Sequence, residues 1–295
     1  MDRRRFLAGA AATTGVAALP TPARTQQTFR LQDVCMLDPT GRLASTADMR
    51  GKVVFLHWWG SWCPPCKREL PELAAMESAL KPNDSVRFVF LNGLEHNDRS
   101  LAFLKTANLS VSQYNSLNMS RQERNMFRTD GTEVSLNDLG IRLYPQTWIV
   151  SRGGLIVKFF AGENRNWGWW QSYVEDEAKK PWDAKTLAPA DRLGWASGEY
   201  AGGLVGAADE RRIRIVVEPG GPDGQAKIAA QWLVPNAGPG RLRAVWATPE
   251  AITLAGNFES GNSLRAVATP AGIGGVYQTG TRTKLVRIEM KKAAA

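Results

Sequence analysis

Two cysteines separated by two residues stand where an apolar run gives way to a helical pattern. The sequence W-C-P-P-C occupies residues 62–66, after the apolar run 53–59 and before apolar residues that recur every three or four positions over 70–80. This order predicts a strand, a short loop and a helix. A helix start has amide groups without intrahelical partners and the positive end of the macrodipole, so a thiol there ionises readily. The pattern therefore indicates a dithiol that exchanges with disulfides.

The first cysteine of the pair, Cys63, is the predicted nucleophile. Cys66 lies one helical turn later, where it can attack the mixed disulfide and release the reduced product. Pro64 and Pro65 suit the first turn of a helix, but they remove N–H donors that would stabilise the Cys63 thiolate. A poorly stabilised thiolate disfavours the reduced form, so the sequence predicts a reductant or isomerase rather than a strong oxidant.

Other uses of a C-x-x-C pair have less support in the sequence. A zinc site usually needs a second pair of ligands, and the chain's three cysteines and two histidines have no suitable spacing. Haem attachment needs a histidine after the second cysteine, where this chain has Lys67. A purely structural disulfide is the remaining alternative, but the position between strand and helix favours redox chemistry.

The segment Phe55–Leu73, which ends in W-C-P-P-C-K-R-E-L-P-E-L, resembles the thioredoxin superfamily. The resemblance is specifically to the bacterial exported, membrane-facing thiol-disulfide oxidoreductases of the TlpA and ResA type. It extends over roughly residues 29–180. It implies an α/β fold, with a thioredoxin-like three-layer domain in this part of the chain.

The resemblance also implies a substrate groove beside the dithiol. In thioredoxin-like domains a proline that opens a strand is characteristically cis and faces the cysteine pair, and Pro145 matches this position. The residue before it, Tyr144, is expected to form an aromatic wall of the groove, where an extended substrate segment pairs with the backbone. Trp62 is the third predicted substrate-binding residue.

Three ionisable side chains close to the cysteine pair need an assignment. His57 stands where relatives often carry a buried acid or asparagine, and it is either the proton acceptor for Cys66 or a packed, neutral histidine. Glu69 and Glu72 follow the second cysteine within the family pattern. Carboxylates on a helix are most often solvated, so neither is predicted to be catalytic.

The third cysteine, Cys35, lies in a region, 29–52, that resembles the N-terminal hairpin extension of the TlpA-like proteins. We expect a half-buried lone thiol, with a regulatory or mixed-disulfide role as the alternative. No peroxidatic motif surrounds this cysteine, so peroxidase activity through it has little support.

The first residues predict export. Residues 3–7 read R-R-R-F-L, which fits the twin-arginine pattern, and an apolar run and a small-x-small site at 21–23 follow. We expect 1–23 to be a cleaved signal, with an uncleaved anchor as the alternative, and the mature protein to be periplasmic without a stable membrane span. The net charge of +9 is scattered and partly within this signal, so nucleic-acid binding is not expected.

The length of 295 residues favours two domains. We expect the thioredoxin-like domain to occupy 24–180 and a linker with two prolines to occupy 181–193. The remainder, 194–295, contains about eight short runs of strand pattern separated by turn residues, which predict an all-β domain, a small up-and-down barrel or sandwich. Alternation in one run predicts that Leu242, Ala244 and Trp246 share a face.

Taken together, these features predict an exported protein-disulfide reductase or isomerase. No flavin or nicotinamide motif is present, so the redox group is the Cys63–Cys66 pair itself and a membrane or periplasmic donor must reduce it again. The expected substrates are disulfide-containing proteins. The rivals are a disulfide-forming oxidase, a Cu(I)-binding protein that uses the two thiolates, and a ligand-binding protein whose function resides in the β domain.

Overall fold

The computed structural model describes most of the chain after the predicted export signal. The signal, 1–23, lies outside the described residues. The described ranges are 29–116, 125–182, 188–206, 210–220, 224–234, 238–259, 261–280 and 285–293.

The N-terminal part of the chain forms a mixed eight-stranded sheet with three α-helices. The sheet order is β1-β10-β9-β4-β5-β6-β2-β3, and β7 and β8 form a separate two-stranded sheet. The elements are β1 (Phe29–Arg30), β2 (Cys35–Leu37), β3 (Leu43–Ser45), β4 (Val53–Trp59), α1 (Pro64–Leu80), β5 (Val86–Asn92), α2 (Asn97–Thr106), β6 (Gln113–Ser116), β7 (Asn125–Phe127), β8 (Glu133–Ser135), β9 (Gln146–Val150), β10 (Leu155–Ala161) and α3 (Trp167–Lys179). The predicted N-terminal hairpin is the pair β2–β3.

The central strand β4 is buried along its whole length. It pairs parallel to β5 and antiparallel to β9. Its side chains alternate between two cores, as the period of two in a strand requires. Phe55 and Trp59 pack with apolar residues of α1, α2 and α3. Leu56 and Trp58 pack on the opposite face against residues between 126 and 150. Both faces are therefore covered, which gives the predicted layered domain.

The C-terminal part of the chain is a closed antiparallel barrel of eight strands. Closure occurs where the first strand, β11, pairs with the last strand, β18. The order follows the chain, so the fold is an up-and-down barrel and not a sandwich. The strands are β11 (Gly198–Leu204), β12 (Glu210–Pro219), β13 (Ala226–Leu233), β14 (Gly240–Thr248), β15 (Ala251–Asn257), β16 (Ser263–Thr269), β17 (Gly272–Gln278) and β18 (Leu285–Lys292).

One predicted face of the barrel is wrong because of a bulge. The register between β14 and β15 shifts between Ala244 and Trp246. An extra residue in one strand reverses the inward and outward positions that follow it. Beyond the shift Ala247, and not Trp246, belongs to the barrel core. Trp246 instead stacks on Trp182, with ring centroids 6.4 Å apart.

The end of the predicted linker packs into the barrel. Two short 3₁₀-helices, Ala190–Arg192 and Gly194–Ala196, precede β11. Leu193 and Ala196 are fully buried in the barrel core. This part of 181–193 is therefore held by apolar contacts, in addition to the turn pattern that its sequence predicts.

A buried ion pair joins the barrel to the N-terminal domain. Arg265 Nε on β16 donates to Asp48 Oδ2 over 2.8 Å, and the side chains are 5% and 16% exposed. Asp48 Oδ2 also accepts from the backbone N–H of Ser45, in a capping box that begins the 3₁₀-helix Thr46–Met49. The arginine is further held by its own strand, because its Nη1 donates to the carbonyl oxygen of Gly256. Charge-assisted bonds of this kind fix geometry as well as contribute energy.

The backbones of the two domains also approach closely. A Cβ atom on Gly131 would lie 2.6 Å from the carbonyl oxygen of Gly275, and one on Gly274 would lie 2.3 Å from that of Asp130. Real Cβ atoms do not come so close to backbone, so glycine is required at this contact. The barrel is therefore fixed to the N-terminal domain by directional contacts.

We predict that Arg265→Leu lowers the free energy of unfolding by about 3 kcal/mol, because Asp48 would keep a buried charge without its partner. The measurement is urea unfolding at neutral pH. Arg287→Leu is the matched control, since Arg287 pairs with Glu289 at the surface with side chains 40% and 65% exposed. Its effect should stay within about 0.5 kcal/mol. Equal losses in both variants would contradict a structural role for the buried pair.

Candidate active site

The cysteine pair lies at the start of α1, directly after the buried strand β4. Cys63 is the N-cap residue, with extended backbone at φ −96° and ψ 108°. Pro64 and Pro65 occupy the first helical positions, where their fixed φ suits the helix and no N–H is needed. The predicted order of strand, loop and helix is confirmed.

The two cysteines form a disulfide, with Cα atoms 5.3 Å apart. Cys66 is fully buried, whereas Cys63 retains 2% exposure. Cys63 Sγ accepts from the backbone N–H of Cys66 over 3.3 Å. The two prolines cannot donate, so this bond comes from the first residue of α1 that has an N–H. Cys63 Sγ therefore has fewer backbone N–H donors than it would at a helix start without prolines, as the sequence predicts.

The second part of the site, after the cysteine pair, is the turn before β9. The peptide bond between Tyr144 and Pro145 is cis, as the resemblance to thioredoxin-like domains implies. Pro145 is buried and Tyr144 is half-buried. Trp62, which is 49% exposed, packs edge-on against the Tyr144 ring, with centroids 5.2 Å apart. Trp62, which adjoins Cys63 in the chain, therefore contacts the cis-proline turn through Tyr144, and Pro145 lies buried behind it.

His57 is a buried, neutral histidine. It lies on β4 among Phe55, Phe90 and Trp167. Its Nδ1 is 2.9 Å from the hydroxyl oxygen of Thr147, on the strand that follows the cis-proline. Burial lowers the pKa of His57 to about 3. The ring is therefore a poor proton acceptor at neutral pH, which favours the packed histidine over the proton-transfer role.

Glu69 is the site residue that the sequence analysis missed. It is 3% exposed, and its Oε2 lies 3.9 Å from His57 Nε2. Its other oxygen accepts a short hydrogen bond from the backbone N–H of Asn164. Burial raises the pKa of Glu69 to about 8, although that hydrogen bond favours the charged form. This carboxyl group therefore gains or loses a proton near neutral pH.

The spacing of α1 contains the signal for this burial. Cys66, Glu69, Leu70 and Leu73 stand at i, i+3, i+4 and i+7, which is one face of a helix. All four are buried, whereas Glu72 is exposed. The assumption that both carboxylates are solvated is therefore wrong for Glu69. Its position one turn after Cys66 puts its carboxyl group on the same face as that sulfur.

Cys35 is fully buried, not half-buried as predicted. It packs with Leu43 and Phe127 of its own domain and with Val276 of the barrel. Burial raises the pKa of its thiol well above the ordinary value. A thiol in this state is a poor nucleophile.

Two further features bear on the predictions. No group of three or more potential ligands suited to a metal ion occurs in the part of the chain that the structure describes. No helix among those same residues is long and apolar enough to cross a bilayer.

Comparison with known proteins agrees with this geometry. Residues 27–158 match the AhpC/TSA family. This part of the chain is similar to that family, and its fold is thioredoxin-like. The match ends within β10, before α3 and the barrel.

Relatives of this thioredoxin-like domain are named as thiol-disulfide enzymes. Thiol-disulfide oxidoreductase ResA of Bacillus subtilis is 30% identical over 125 residues, which are 42% of this chain and 62% of that protein. Thiol:disulfide interchange protein DsbE of Pseudomonas aeruginosa is 32% identical over 119 residues, 40% of this chain and 56% of that protein. The crystal structure of StoA from Bacillus subtilis is 24% identical, covers 50% of this chain and 98% of its own, and has a TM-score of 0.37. The chain thus spans less than two thirds of these two curated relatives.

Glu69 should make the stability of the oxidised protein depend on pH. In the unfolded chain its pKa returns to the ordinary value near 4.3, so between pH 6.5 and 8 the folded state holds a proton that the unfolded state has lost. The free energy of unfolding should therefore fall as pH rises through this window, by up to about 1.4 kcal/mol per pH unit. His57 has an unfolded pKa near 6.5, so it opposes this fall at the low end of the window and no longer contributes near pH 8.

The measurement is urea unfolding of the oxidised protein from pH 6.5 to 8. Glu69→Gln should remove the fall, whereas Glu72→Gln, an exposed neighbour on the same helix, should retain it. The same slope in wild type and Glu69→Gln would show that Glu69 is ionised throughout.

Proposed function

We propose that this protein is a thiol-disulfide oxidoreductase that reduces or isomerises disulfides of other proteins. The observation that carries the proposal is the Cys63–Cys66 disulfide at the start of α1, beside the cis-proline turn. The names of the relatives, thiol-disulfide oxidoreductase and thiol:disulfide interchange protein, support the same reaction.

The catalytic cycle begins with the pair reduced. The Cys63 thiolate attacks one sulfur of the substrate disulfide, forms a mixed disulfide and releases the other substrate sulfur, which takes up a proton. Cys66 then loses its proton and attacks Cys63 Sγ, so that the intramolecular disulfide forms and the second substrate sulfur leaves as a thiol. Two electrons and two protons pass to the substrate. A dithiol donor must then reduce Cys63–Cys66 again.

Glu69 is the group best suited to take the proton from Cys66. It follows Cys66 by one helical turn, and its raised pKa of about 8 is close to that of a thiol. His57, with a pKa lowered to about 3, binds a proton too weakly for this step. We therefore assign proton transfer to Glu69 and a positioning role to His57, whose hydrogen bond with Thr147 ties β4 to β9.

Pro64 and Pro65 favour reduction of substrate disulfides over their formation. A helix start normally offers several amides to a thiolate, but here the hydrogen bond to Cys63 Sγ comes from Cys66. Fewer donors raise the free energy of the thiolate and favour the oxidised pair, which makes the dithiol a stronger reductant. The rival hypothesis, a disulfide-forming oxidase, requires a well-stabilised Cys63 thiolate.

We further propose that the reaction takes place in the periplasm, after export by the twin-arginine route. The support is the pattern of residues 1–23. Disulfides persist in such a compartment, so a reductant has substrates there. The donor is then a membrane or periplasmic dithiol protein, and no role is assigned to the barrel.

We expect Cys66→Ser to trap a mixed disulfide between Cys63 and a protein substrate, because the resolving thiol is missing. Cys63→Ser should abolish the reduction of insulin by dithiothreitol that the wild type catalyses. The measurements are insulin turbidity and mass spectrometry of the trapped adduct. Cys35→Ser is the matched control and should keep full activity, since Cys35 is buried. Activity that survives in Cys63→Ser, or copper retained stoichiometrically through gel filtration and lost in that variant, would favour a different function.

We predict that the reduction potential of the pair lies near or below that of thioredoxin, on the order of −270 mV. Pro65→Ala adds an N–H at the helix start and should raise the potential by about 30 mV for each unit by which the Cys63 pKa falls. The measurement is equilibration in dithiothreitol or glutathione buffers. Pro71→Ala, within α1 but away from its start, serves as control. A wild-type potential near −120 mV, that of a strong oxidant, would overturn the reductant assignment.

A further inference from the structure

A leucine beside the site has a backbone conformation that disfavours its side chain. Leu94, in the loop between β5 and α2, has φ +66°. For residues other than glycine this region is uncommon, and it costs most for bulky side chains. The Leu94 side chain is 40% exposed, so burial of the whole side chain does not offset this strain.

The residue before Leu94 contacts the cis-proline turn. A Cβ atom on Gly93 would lie 2.1 Å from the hydroxyl oxygen of Tyr144. The absence of a side chain at position 93 therefore allows Tyr144 to pack against this loop. Gly93 is in turn held by its N–H, which donates to the carbonyl oxygen of Trp59 at the end of β4.

The residue after Leu94 contacts the loop that carries the cysteines. Glu95 is 6% exposed, and its carboxylate accepts from the backbone N–H of Ser61 over 2.7 Å and from the Ser61 hydroxyl. It also accepts from the hydroxyl of Ser100 on α2 over 2.8 Å. A carboxylate with three donors is rigidly held.

Leu94 is therefore fixed between Gly93, which contacts the cis-proline turn, and Glu95, which binds the loop that carries the cysteines. Strained backbone persists only where the surroundings determine it, and it is concentrated at functional positions. Glycine or asparagine would adopt φ +66° at lower cost. A strained, partly exposed leucine at this point indicates that an apolar side chain is required there.

We propose that the loop 93–95 is a third wall of the substrate groove and that Leu94 determines substrate specificity. Trp62, Leu143 and Leu94 are all large apolar residues with 40% or more of their surface exposed. Leu143 adjoins Tyr144 in the chain, and Tyr144 contacts both Trp62 and Gly93. The substrate class is an extended segment with a bulky apolar side chain next to its disulfide-bonded cysteine. This inference rests on the proposed thiol-disulfide exchange.

The test compares two tripeptides, acetyl-Phe-Cys-Gly-amide and acetyl-Ser-Cys-Gly-amide, each as a mixed disulfide with thionitrobenzoate. When reduced protein is added, attack by Cys63 on the peptide sulfur releases thionitrobenzoate from the mixed disulfide, and this release is followed by absorbance. Wild type should react about fivefold faster with the Phe peptide, since burial of part of a leucine and an aromatic ring favours that complex. Leu94→Asn should reduce this ratio to near one, whereas Leu94→Met should keep it.

A second measurement separates specificity from a structural role. Leu94→Gly relieves the strained backbone, so its urea midpoint should rise while its preference for the Phe peptide disappears. A preference retained in Leu94→Asn, or absent from wild type, would overturn the inference about Leu94 but not the proposed function. Reaction of wild type no faster than that of free cysteine with both peptides would instead overturn the proposed function.

Discussion

The structure of the site depends on where α1 begins. Cys63 is the N-cap and its sulfur accepts from the N–H of Cys66, so the same residue ends the loop and carries one sulfur of the disulfide. The apolar face of α1 packs on β4, and both cysteines belong to that core, with Cys66 fully buried and Cys63 2% exposed. The helix start cannot move without exposing that face. Packing of the helix therefore fixes where both sulfurs lie.

The buried interior of the site avoids unpaired charge. His57 and Glu69 face each other at 3.9 Å, beyond hydrogen-bond length, and their pKa values are shifted to about 3 and about 8. Both shifts favour the neutral form, because transfer of a charge out of water costs several kcal/mol. The protein therefore keeps a titratable carboxyl group one helical turn after Cys66 without a permanent buried ion pair. Such a group exchanges a proton without first losing a charged partner.

Local patterns predicted most of the fold, and pairs of distant residues account for the rest. The cysteine pair and the eight barrel strands each depend on a few consecutive residues, so spacing and period identify them. The cis-proline was expected from the resemblance to thioredoxin-like proteins. The burial of Glu69 was also present in the spacing of α1, but a general preference of carboxylates for solvent obscured it. The bulge at 244–246 could not be predicted, because a shift of one residue changes no local pattern. The Arg265–Asp48 pair joins residues that are far apart in the chain.

The attachment of the barrel follows from the edge of the N-terminal sheet. In the part of the chain that the structure describes, the last strand in the sheet order, β3, pairs with β2 alone, so its other side has no neighbouring strand. Open edges favour association with other chains, and proteins usually cover them. Here Gln278 of the barrel accepts from the N–H of Leu43 on β3 over 2.6 Å and donates to the carbonyl oxygen of Gly41 over 2.9 Å. A closed barrel has no edges of its own, so it covers this one by side-chain contacts and leaves no new edge exposed.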